Sequence, residues 1–351
     1  GRRHGVLTYH PCQGASMDRG QETAMSRVKI FFVGAAYGLL MRLAFGIAPF
    51  LNDPDTKARA SGPMLTSFVV LVPMLIGIYT VLSARRESPT MSFVLMGPWA
   101  PTLCFVAGTA VLLIEGSICI AMAVPIFCLM ASIGGLIGWA LAKRVQPQPG
   151  TMNTLLLLPL LAGYAETHVT LPQEIRQSTA STHIAATPEA IWREINHATS
   201  IQPEEMKGGG AYMIGVPYPL EAITHTTPEG ERVRKLRWAK NVSFDEPITA
   251  WEENRFVRWT YAFKPESFPP GALDDHVLIG GKYFDLVDTS YRLTPEAGGT
   301  RLDIVVDYRV STNFNWYAAW WGRVLVDDSA QAILRFYKNR GEPVPTGLPK
   351  G

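Results

Sequence analysis

Residues 300–340 read TRLDIVVDYRVSTNFNWYAAWWGRVLVDDSAQAILRFYKNR, and this stretch decides the fold of the C-terminal half. Its first part alternates apolar and polar side chains, as a half-buried antiparallel strand does. Its second part, 315–340, repeats apolar residues at helical spacing. A strand followed by a long C-terminal helix predicts an α+β domain in which that helix packs across a sheet. The alternating apolar strand residues are Leu302, Ile304, Val306, Tyr308 and Val310.

The elements upstream fit the same arrangement. Thr187, Pro188 and Glu189 form a helix start, with an N-cap, a proline at the first position and an acid in the first turn. A short strand at 181–186 precedes this helix, and a second short helix opens at Pro203. The order predicts a curved antiparallel sheet of five or six further strands wrapped on the long helix. These strands are predicted at 212–226, 232–238, 242–252, 255–263, 283–293 and 300–311.

Charged residues are scarce in the N-terminal half. The chain carries 32 Lys and Arg and 30 Asp and Glu, but only 13 of these lie within residues 27–165. A helix needs about 20 apolar residues to cross a bilayer, and four segments reach that length. The half is therefore predicted to be a transmembrane helical region with four spans and a short fifth. The spans are 28–51, 63–83, 93–114 and 117–142, and the short run is 152–165.

Basic residues flank these runs unevenly, and the positive-inside rule then gives an orientation. Arg27 and Lys29 precede the first span, and basic pairs follow the second span at 85–86 and the fourth at 143–144. This places the N-terminus and both basic loops in the cytoplasm. If the fifth run crosses, the C-terminal domain lies on the non-cytoplasmic side of the inner membrane. We favour crossing, because mismatch costs only fractions of a kcal/mol per Å. If the run lies in the interface, the domain is cytoplasmic.

The sequence thus predicts five parts with distinct compositions. Met17 and Met25 are both acceptable natural starts, so the polar first part is read as a disordered leader or an upstream extension. The parts are this leader (1–26), the transmembrane region (27–165), a linker (166–180), the α+β domain (181–342) and a tail (343–351).

Composition and missing motifs exclude several functions. A net charge of only +2 disfavours a nucleic-acid binder. The sequence has no Gly-rich phosphate loop, no paired-Cys metal spacing and no His-Glu-x-x-His helix. We therefore expect no cofactor and no metal, and a nucleotide-driven transporter or a zinc hydrolase is disfavoured. The expected partners are the lipid bilayer and a hydrophobic small molecule, while a protein partner and the oligomeric state stay open.

Three segments resemble a known family. They are THIAATPEAIW at 182–192, LDDHVLIGGKYFD at 273–285 and RVSTNFNWY at 309–317. They are similar to the START-like helix-grip superfamily, also called SRPBCC or polyketide cyclase/dehydrase-like, and to a bacterial subgroup that carries this domain behind membrane spans. The resemblance covers about 178–342 and implies a curved sheet on a long helix. Because the superfamily includes lipid carriers, hormone receptors, cyclases and co-chaperones, it leaves the function open.

The segment Asp274-Asp275-His276 is the densest group of titratable residues in the domain. His276 is a candidate general base, oriented by a carboxylate such as that of Asp275. Alternatively, the segment is a polar loop held by hydrogen bonds at the mouth of a cavity. Asp285 closes the same motif beside Tyr283, and it either contacts a ligand or caps a backbone turn.

Aromatic residues supply the other candidate ligand contacts. Trp259 and Tyr261 share one face of a predicted strand, and Trp316 and Trp320 follow helical spacing. In a helix-on-sheet fold the wall of the core is also the wall of the cavity, so these side chains are either ligand contacts or plain core. Asp328 interrupts the apolar stripe of the long helix, and it either orients a polar ligand group or forms a structural ion pair.

One predicted strand and its exit are basic, with Arg232, Arg234, Lys235, Arg237 and Lys240. Such a strand could meet anionic lipid headgroups near the membrane. The simpler interpretation, which we favour, is a solvated edge strand protected by its charges.

Three hypotheses about function follow. The first is a membrane-anchored domain that binds a hydrophobic or lipid-like molecule between sheet and C-terminal helix, for carriage or sensing. The second is an enzyme of cyclase, dehydratase or hydrolase type that uses an Asp or His group of that cavity as acid and base. The third is an interaction module for another membrane protein. The sequence favours binding over catalysis and does not name the ligand.

Overall fold

The computed structural model describes residues 14–52, 62–85, 88–144 and 154–342, with side chains from residue 27 onward except for 48–52 and Asp275. The predicted tail and the first part of the predicted leader lie outside these residues. The chain divides into two compact units. One comprises 1–44, 69–109 and 124–161, and the other comprises 45–68, 110–123 and 162–351.

Apolar helices dominate the N-terminal part. Among the described residues, three helical stretches are long and apolar enough to cross a membrane, namely Arg27–Ile47, Met91–Val111 and Ser117–Arg144. Two others, Ser67–Ser83 and Thr154–Glu166, are shorter. The α-helices of this part are α1 (Gly14–Asn52), α2 (Val72–Ser83), α3 (Met91–Met96), α4 (Trp99–Val111), α5 (Ser117–Arg144) and α6 (Leu158–Glu166).

The predicted span 63–83 is shorter in the structure. The chain makes a 3₁₀ turn at Gly62–Met64 and a π turn at Ser67–Leu71 before α2 begins. The helical stretch Ser67–Ser83 starts at this π turn and not at residue 63, because the Glu166 carboxylate accepts hydrogen bonds from the backbone N–H groups of Thr66 at 2.7 Å and Ser67 at 2.9 Å. The first N–H groups of a helix have no partner within the helix, so an acceptor placed there starts the helix at that point.

Small residues let helices of the first unit approach closely. A Cβ on Gly134 of α5 would lie 1.9 Å from the carbonyl oxygen of Met74 in α2. A Cβ on Gly77 would lie 2.1 Å from the carbonyl oxygen of Ala131. Both contacts are too short for any side chain, so α2 and α5 pack backbone against backbone, as helices in membranes often do.

The second unit contains an eight-stranded antiparallel sheet with the strand order β1-β8-β7-β6-β5-β4-β3-β2. Register shifts interrupt β3, β5 and β7, and such bulges bend a sheet. The strands are β1 (Glu174–Ile184), β2 (His197–Ala198), β3 (Pro219–Thr226), β4 (Arg232–Trp238), β5 (Val242–Glu252), β6 (Phe256–Thr260), β7 (Phe284–Glu296) and β8 (Gly299–Val310).

The long helix α9 (Asn315–Gly341) packs across this sheet, mainly on β1 and β8. Two shorter helices, α7 (Pro188–Asn196) and α8 (Gly210–Met213), also pack on α9. The core between them is fully apolar at its centre and includes Ile184, Ile195, Leu302, Ile304 and Leu334, each at most 1% exposed. The predicted α+β architecture of a curved antiparallel sheet on a long C-terminal helix is present.

Two elements differ from the prediction. β1 begins at Glu174, seven residues before the predicted strand, because it pairs with β8 along its whole length. Its residues are mostly polar, so its own sequence gives little strand signal. Residues 212–213 are helical and not part of a strand, since the Asp328 carboxylate accepts a hydrogen bond from the Ala211 N–H at 2.8 Å and holds the first turn of α8.

Candidate ligand cavity

A cavity of about 200 Å³ lies inside the second unit, between the sheet and α9. Leu236, Ile304 and Val306 line it from the sheet, and Val326 and Ala330 line it from α9. Most of the other lining side chains are apolar as well. Three further lining residues come from the segments 45–68 and 110–123 of the same unit, namely Met64, Ile118 and Met122.

The most polar part of the lining is a buried ion pair on neighbouring strands. Arg234 of β4 and Glu246 of β5 are register partners, and Arg234 Nη1 lies 2.6 Å from Glu246 Oε2. Arg234 is 5% exposed and Glu246 is 2% exposed. Arg234 also donates to the carbonyl oxygen of Ile195 at 3.2 Å and to the Tyr337 hydroxyl at 3.4 Å. The guanidinium is therefore fixed in place and satisfied on several sides.

Burial dominates the electrostatics of this pair. It raises the pKa of Glu246 above its usual range, and the neighbouring Arg234 guanidinium offsets part of that rise. Burial alone lowers the pKa of Arg234, but Glu246 and two nearby tyrosines outweigh it and raise the pKa above its ordinary value. The guanidinium also lies over the Trp259 ring, 4.9 Å from the centroid. A cation held this way stays charged at every physiological pH.

Two hydroxyl groups extend the polar region along the sheet. The Tyr261 Oη and the Thr289 Oγ1 are 2.7 Å apart. Burial raises the pKa of Tyr261, and Glu246 raises it further while Arg234 lowers it, so this phenol remains neutral. We call Arg234, Glu246, Tyr261 and Thr289 the polar wall of the cavity. It contains one cation and one anion in direct contact, together with two neutral hydroxyls.

The structure brings four of the sequence-predicted residues to the cavity. Trp259, Tyr261, His276 and Tyr283 all line it, on β6, the chain that follows β6, and the insertion between β6 and β7. Trp259 is 1% exposed and belongs both to the apolar core and to the cavity lining. The roles of these side chains toward a ligand remain predictions.

The segment 274–276 is tied to the turn between α4 and α5. The Asp274 Oδ2 accepts a hydrogen bond from the Cys119 N–H at 3.2 Å, in the first turn of α5. The His276 Nε2 lies 3.6 Å from the Glu115 Oε2, with both side chains largely buried. These contacts agree with a polar loop held at the cavity wall. The Asp275 side chain lies outside the described residues, so its predicted role as an orienting carboxylate remains a prediction.

Four other candidates lie elsewhere. The Asp285 Oδ2 is 3.9 Å from the Arg309 Nη2, and burial raises the pKa of Asp285 while Arg309 opposes the rise. Trp316 and Trp320 are 63% and 53% exposed on α9, and neither lines the cavity. Asp328, with its carboxylate engaged by the backbone of α8, also lies outside the lining. The helical spacing of the tryptophans is real, but it marks the outer side of the first turns of α9.

Sequence reasoning missed the Arg234–Glu246 pair. The strand that carries Arg234 was expected to be a solvated edge strand, but β4 lies between β3 and β5 in the interior of the sheet. Arg232, Lys235 and Arg237 are exposed as expected, whereas Arg234 points to the buried face with Leu236. The sequence does contain an indication of this pair. A tight hairpin centred on Lys240 makes residues 234 and 246 cross-strand partners, and these two residues have opposite charges.

Comparison with known proteins gives distant structural neighbours but no family assignment. No family model matches the chain, and no curated protein matches it. An uncharacterized protein from Rhizobium leguminosarum is 11% identical, with 49% of this chain and 99% of that chain covered and a TM-score of 0.29. A protein from Thermus thermophilus is 15% identical, with 47% and 96% covered and a TM-score of 0.30. The ZhuI aromatase/cyclase from a Streptomyces species is 11% identical, with 48% and 94% covered and a TM-score of 0.29.

The second unit has the helix-grip architecture that the sequence resemblance implied, a curved antiparallel sheet around one long C-terminal helix. Its structural neighbours include an aromatase/cyclase and uncharacterized proteins. At these identities and TM-scores, the neighbours assign no substrate and no activity to this chain. Membership of a membrane-spanning subgroup remains a prediction.

Proposed function

We propose that the second unit binds a hydrophobic small molecule in the cavity between the sheet and α9, for carriage or sensing. The observation that supports this proposal is the cavity itself, which is mostly apolar and holds a few polar groups in fixed positions. Ligand sites in proteins commonly have this composition, because apolar lining supplies affinity and a few polar groups set orientation. A plain core of this size would be filled, since protein interiors leave few voids larger than a water molecule.

We further propose that the apolar helices anchor the chain in a membrane. In the most apolar 18-residue stretch of each candidate span, only 39%, 39% and 33% of the residues are buried. Large apolar side chains such as Phe32, Leu40, Ile47 and Leu129 are exposed. An aqueous surface of this kind would be costly at about 25 cal/mol per Å² of apolar area, whereas lipid removes the cost.

Two exposed tryptophans support the same proposal. Trp316 and Trp320 flank Tyr317, whose hydroxyl donates a hydrogen bond to the Met122 carbonyl near the start of α5. Tryptophan concentrates at the boundary between lipid and water, where its ring is apolar and its N–H stays near polar groups. With five crossings and basic loops in the cytoplasm, the proposed location of the ligand-binding unit is the non-cytoplasmic side of the inner membrane.

An enzyme remains the second candidate, and one observation favours it. His276 lines the cavity, is 8% exposed and lies 3.6 Å from the Glu115 carboxylate. An imidazole beside a carboxylate at a cavity wall is a common arrangement for a general base. Turnover of a bound molecule that is lost in His276→Ala, with binding retained, would favour this alternative over carriage.

The test of the binding proposal is native mass spectrometry of the full chain purified in mild detergent, followed by identification of bound small molecules. Ala330→Phe places a ring in the cavity from α9, and Gln331→Phe places the same ring on the exposed side of the next residue. We expect a molecule that is bound to the natural chain and to Gln331→Phe but absent from Ala330→Phe. Equal amounts in both variants would show that the cavity is not the binding site.

A further inference from the structure

We propose that the cavity selects a small, uncharged and mostly apolar molecule with a hydroxyl or carbonyl oxygen, and that this oxygen binds at the polar wall. The inference rests on the proposed function, since it names the class of ligand for the same cavity. It depends on two observations, the charge balance of the polar wall and the volume of the cavity.

The charge balance disfavours an ionic ligand. The polar wall holds one guanidinium and one carboxylate 2.6 Å apart, both buried. Together they present a dipole and no net charge. A ligand carboxylate placed there would be attracted by Arg234 and repelled by Glu246, so its lost hydration would not be recovered. A ligand ammonium would be attracted by Glu246 and repelled by Arg234, so its lost hydration would not be recovered either.

A neutral oxygen, by contrast, finds suitable partners. A guanidinium has five N–H donors, and Arg234 makes three described hydrogen bonds, to Ile195, Glu246 and Tyr337. The hydroxyls of Tyr261 and Thr289 bond to each other through one proton, and this leaves a second proton and further lone pairs. A hydroxyl or carbonyl oxygen of a ligand can therefore accept from the wall without breaking the ion pair.

The volume limits the size of the enclosed molecule. Drug-sized ligands occupy sites of about 300–1,000 Å³, and an apolar cavity of about 150 Å³ holds benzene. The cavity here is about 200 Å³. By the same comparison it encloses roughly eight non-hydrogen atoms, and its partly open side leaves room for a few more. A diacyl lipid is too large to be enclosed, although a small neutral molecule dissolved in the bilayer fits.

Three compounds with the same ring system test the requirements for an oxygen atom and for a neutral charge, namely naphthalene, naphthol and naphthoate. Each is titrated by calorimetry into the full chain in lipid nanodiscs, and the signal of Ala330→Phe in the same nanodiscs is subtracted to remove partitioning into lipid. We expect naphthol to bind about tenfold more tightly than naphthalene, which corresponds to one added hydrogen bond. We expect naphthoate to bind most weakly.

Two variants locate the hydrogen bond. Tyr261→Phe removes a hydroxyl from the polar wall and should bring naphthol to within about twofold of naphthalene, with naphthalene binding unchanged. Tyr308→Phe makes the same chemical change on β8, outside the described lining of the cavity, and should keep the preference for naphthol. Unchanged naphthalene binding in both variants shows that each is folded.

The outcomes distinguish the inference from the proposed function. Equal binding of naphthol and naphthalene, strongest binding of naphthoate, or an unchanged naphthol preference in Tyr261→Phe would overturn the inference and leave the cavity as a binding site. Binding of none of the three above the Ala330→Phe background would overturn the inference and the proposed function together.

Discussion

Arg234 and Glu246 face each other directly across β4 and β5, and their side chains meet at 2.6 Å in the buried wall of the cavity. The pair lies where the sheet is covered by α9, and the Tyr337 hydroxyl of that helix accepts from Arg234 at 3.4 Å. A buried ion pair is seldom a net source of stability, because both charges lose their hydration. Its position at the most polar part of the described lining points to a role in ligand orientation and in fixing the register of the two strands.

Removing only one of the two charges of this pair should be strongly destabilising. In Glu246→Gln the guanidinium is left buried without its counter-ion, and we expect a loss of about 3–5 kcal/mol in unfolding free energy. Arg234→Met combined with Glu246→Leu removes both charges, so it should cost much less than the sum of the single changes. Thermal unfolding followed by circular dichroism in detergent measures these differences.

An exposed pair on neighbouring strands provides the control. Arg237 of β4 and Glu221 of β3 also lie 2.6 Å apart, but Arg237 is 65% exposed at its side chain. Glu221→Gln should change stability by no more than about 1 kcal/mol, because water screens the charges. If Glu246→Gln were as mild as Glu221→Gln, the buried pair would not hold the strands in register.

Low pH should weaken the ion pair between Glu205 and Arg340 of α9 and so destabilise the second unit. The Arg340 guanidinium, which donates to Glu205 Oε1 at 2.7 Å and Oε2 at 3.0 Å, holds the pKa of this carboxyl below its usual range, although burial opposes the effect. A carboxyl with a lower pKa in the folded state contributes stability that is present above its unfolded pKa of about 4.3 and is lost as the pH falls through the folded pKa.

The expected result is a melting temperature that falls more steeply below about pH 4.3 in the natural chain than in Glu205→Gln. Near pH 7 the variant should melt at a lower temperature than the natural chain, because its amide pairs less strongly with Arg340. Glu231→Gln, at an exposed turn residue, should leave the slope unchanged. Parallel slopes for Glu205→Gln and the natural chain would contradict the assignment.

Local signals could be predicted from the sequence because neighbouring residues determine them. The Thr187 hydroxyl accepts from the Ala190 N–H, and Pro188 begins α7, as its cap pattern indicated. The limits of β4 and β5 also match, since a tight turn at residues 239–241 sets them. Interactions between distant residues could not be predicted in this way. The helical turn at 210–213 depends on Asp328, which is 117 positions away from Ala211, and the early start of β1 depends on β8.

The same distinction between local and distant interactions applies to the residues of the candidate site. Trp259 and Tyr261 could be predicted because alternation along the predicted strand 255–263 places them on one face, although β6 ends at Thr260 in the structure. Arg234 was misjudged because its burial depends on the position of β4 in the sheet and on the charge opposite it. The titratable segment 274–276 could be predicted from composition. Its partners could not, because no local pattern connects it to Glu115 in the turn between α4 and α5 or to Cys119 in the first turn of α5.

Asp274 should act as a cap for α5. Its carboxylate accepts from the Cys119 N–H in the first turn of that helix, so Asp274→Ala removes this hydrogen bond. We expect a loss of about 1 kcal/mol, typical of a removed cap. Asp303→Ala, which removes only a half-exposed contact with Arg301, should cost less. Thermal unfolding of both variants under one set of conditions decides the point, and equal losses would argue against a capping role.

A single added thiol can show on which side of the membrane the second unit lies. The chain has four cysteines, with Cys104, Cys119 and Cys128 in apolar segments and Cys12 outside the described residues. In a Cys12→Ser background, Glu229→Cys therefore places an added thiol in the exposed turn between β3 and β4. In intact cells a membrane-impermeant maleimide should label this position without prior lysis. Labelling that requires lysis would place the unit in the cytoplasm and would mean that the short helix α6 does not complete a fifth crossing.

Gly134 should be intolerant of any side chain. A Cβ there would lie 1.9 Å from the Met74 carbonyl oxygen, and this oxygen belongs to the backbone of α2 and cannot rotate away. Gly134→Ala should therefore separate α2 from α5 and cost about 1–3 kcal/mol, in the range of an overpacked core. Gly108→Ala is the matched control, since a Cβ at this glycine of α4 meets no described atom within 4 Å. The control should be neutral or slightly stabilising, because alanine favours a helix by about 1 kcal/mol over glycine. Size-exclusion profiles after stepwise heating in detergent compare the two, and equal heat resistance would mean that α2 and α5 do not touch at Gly134.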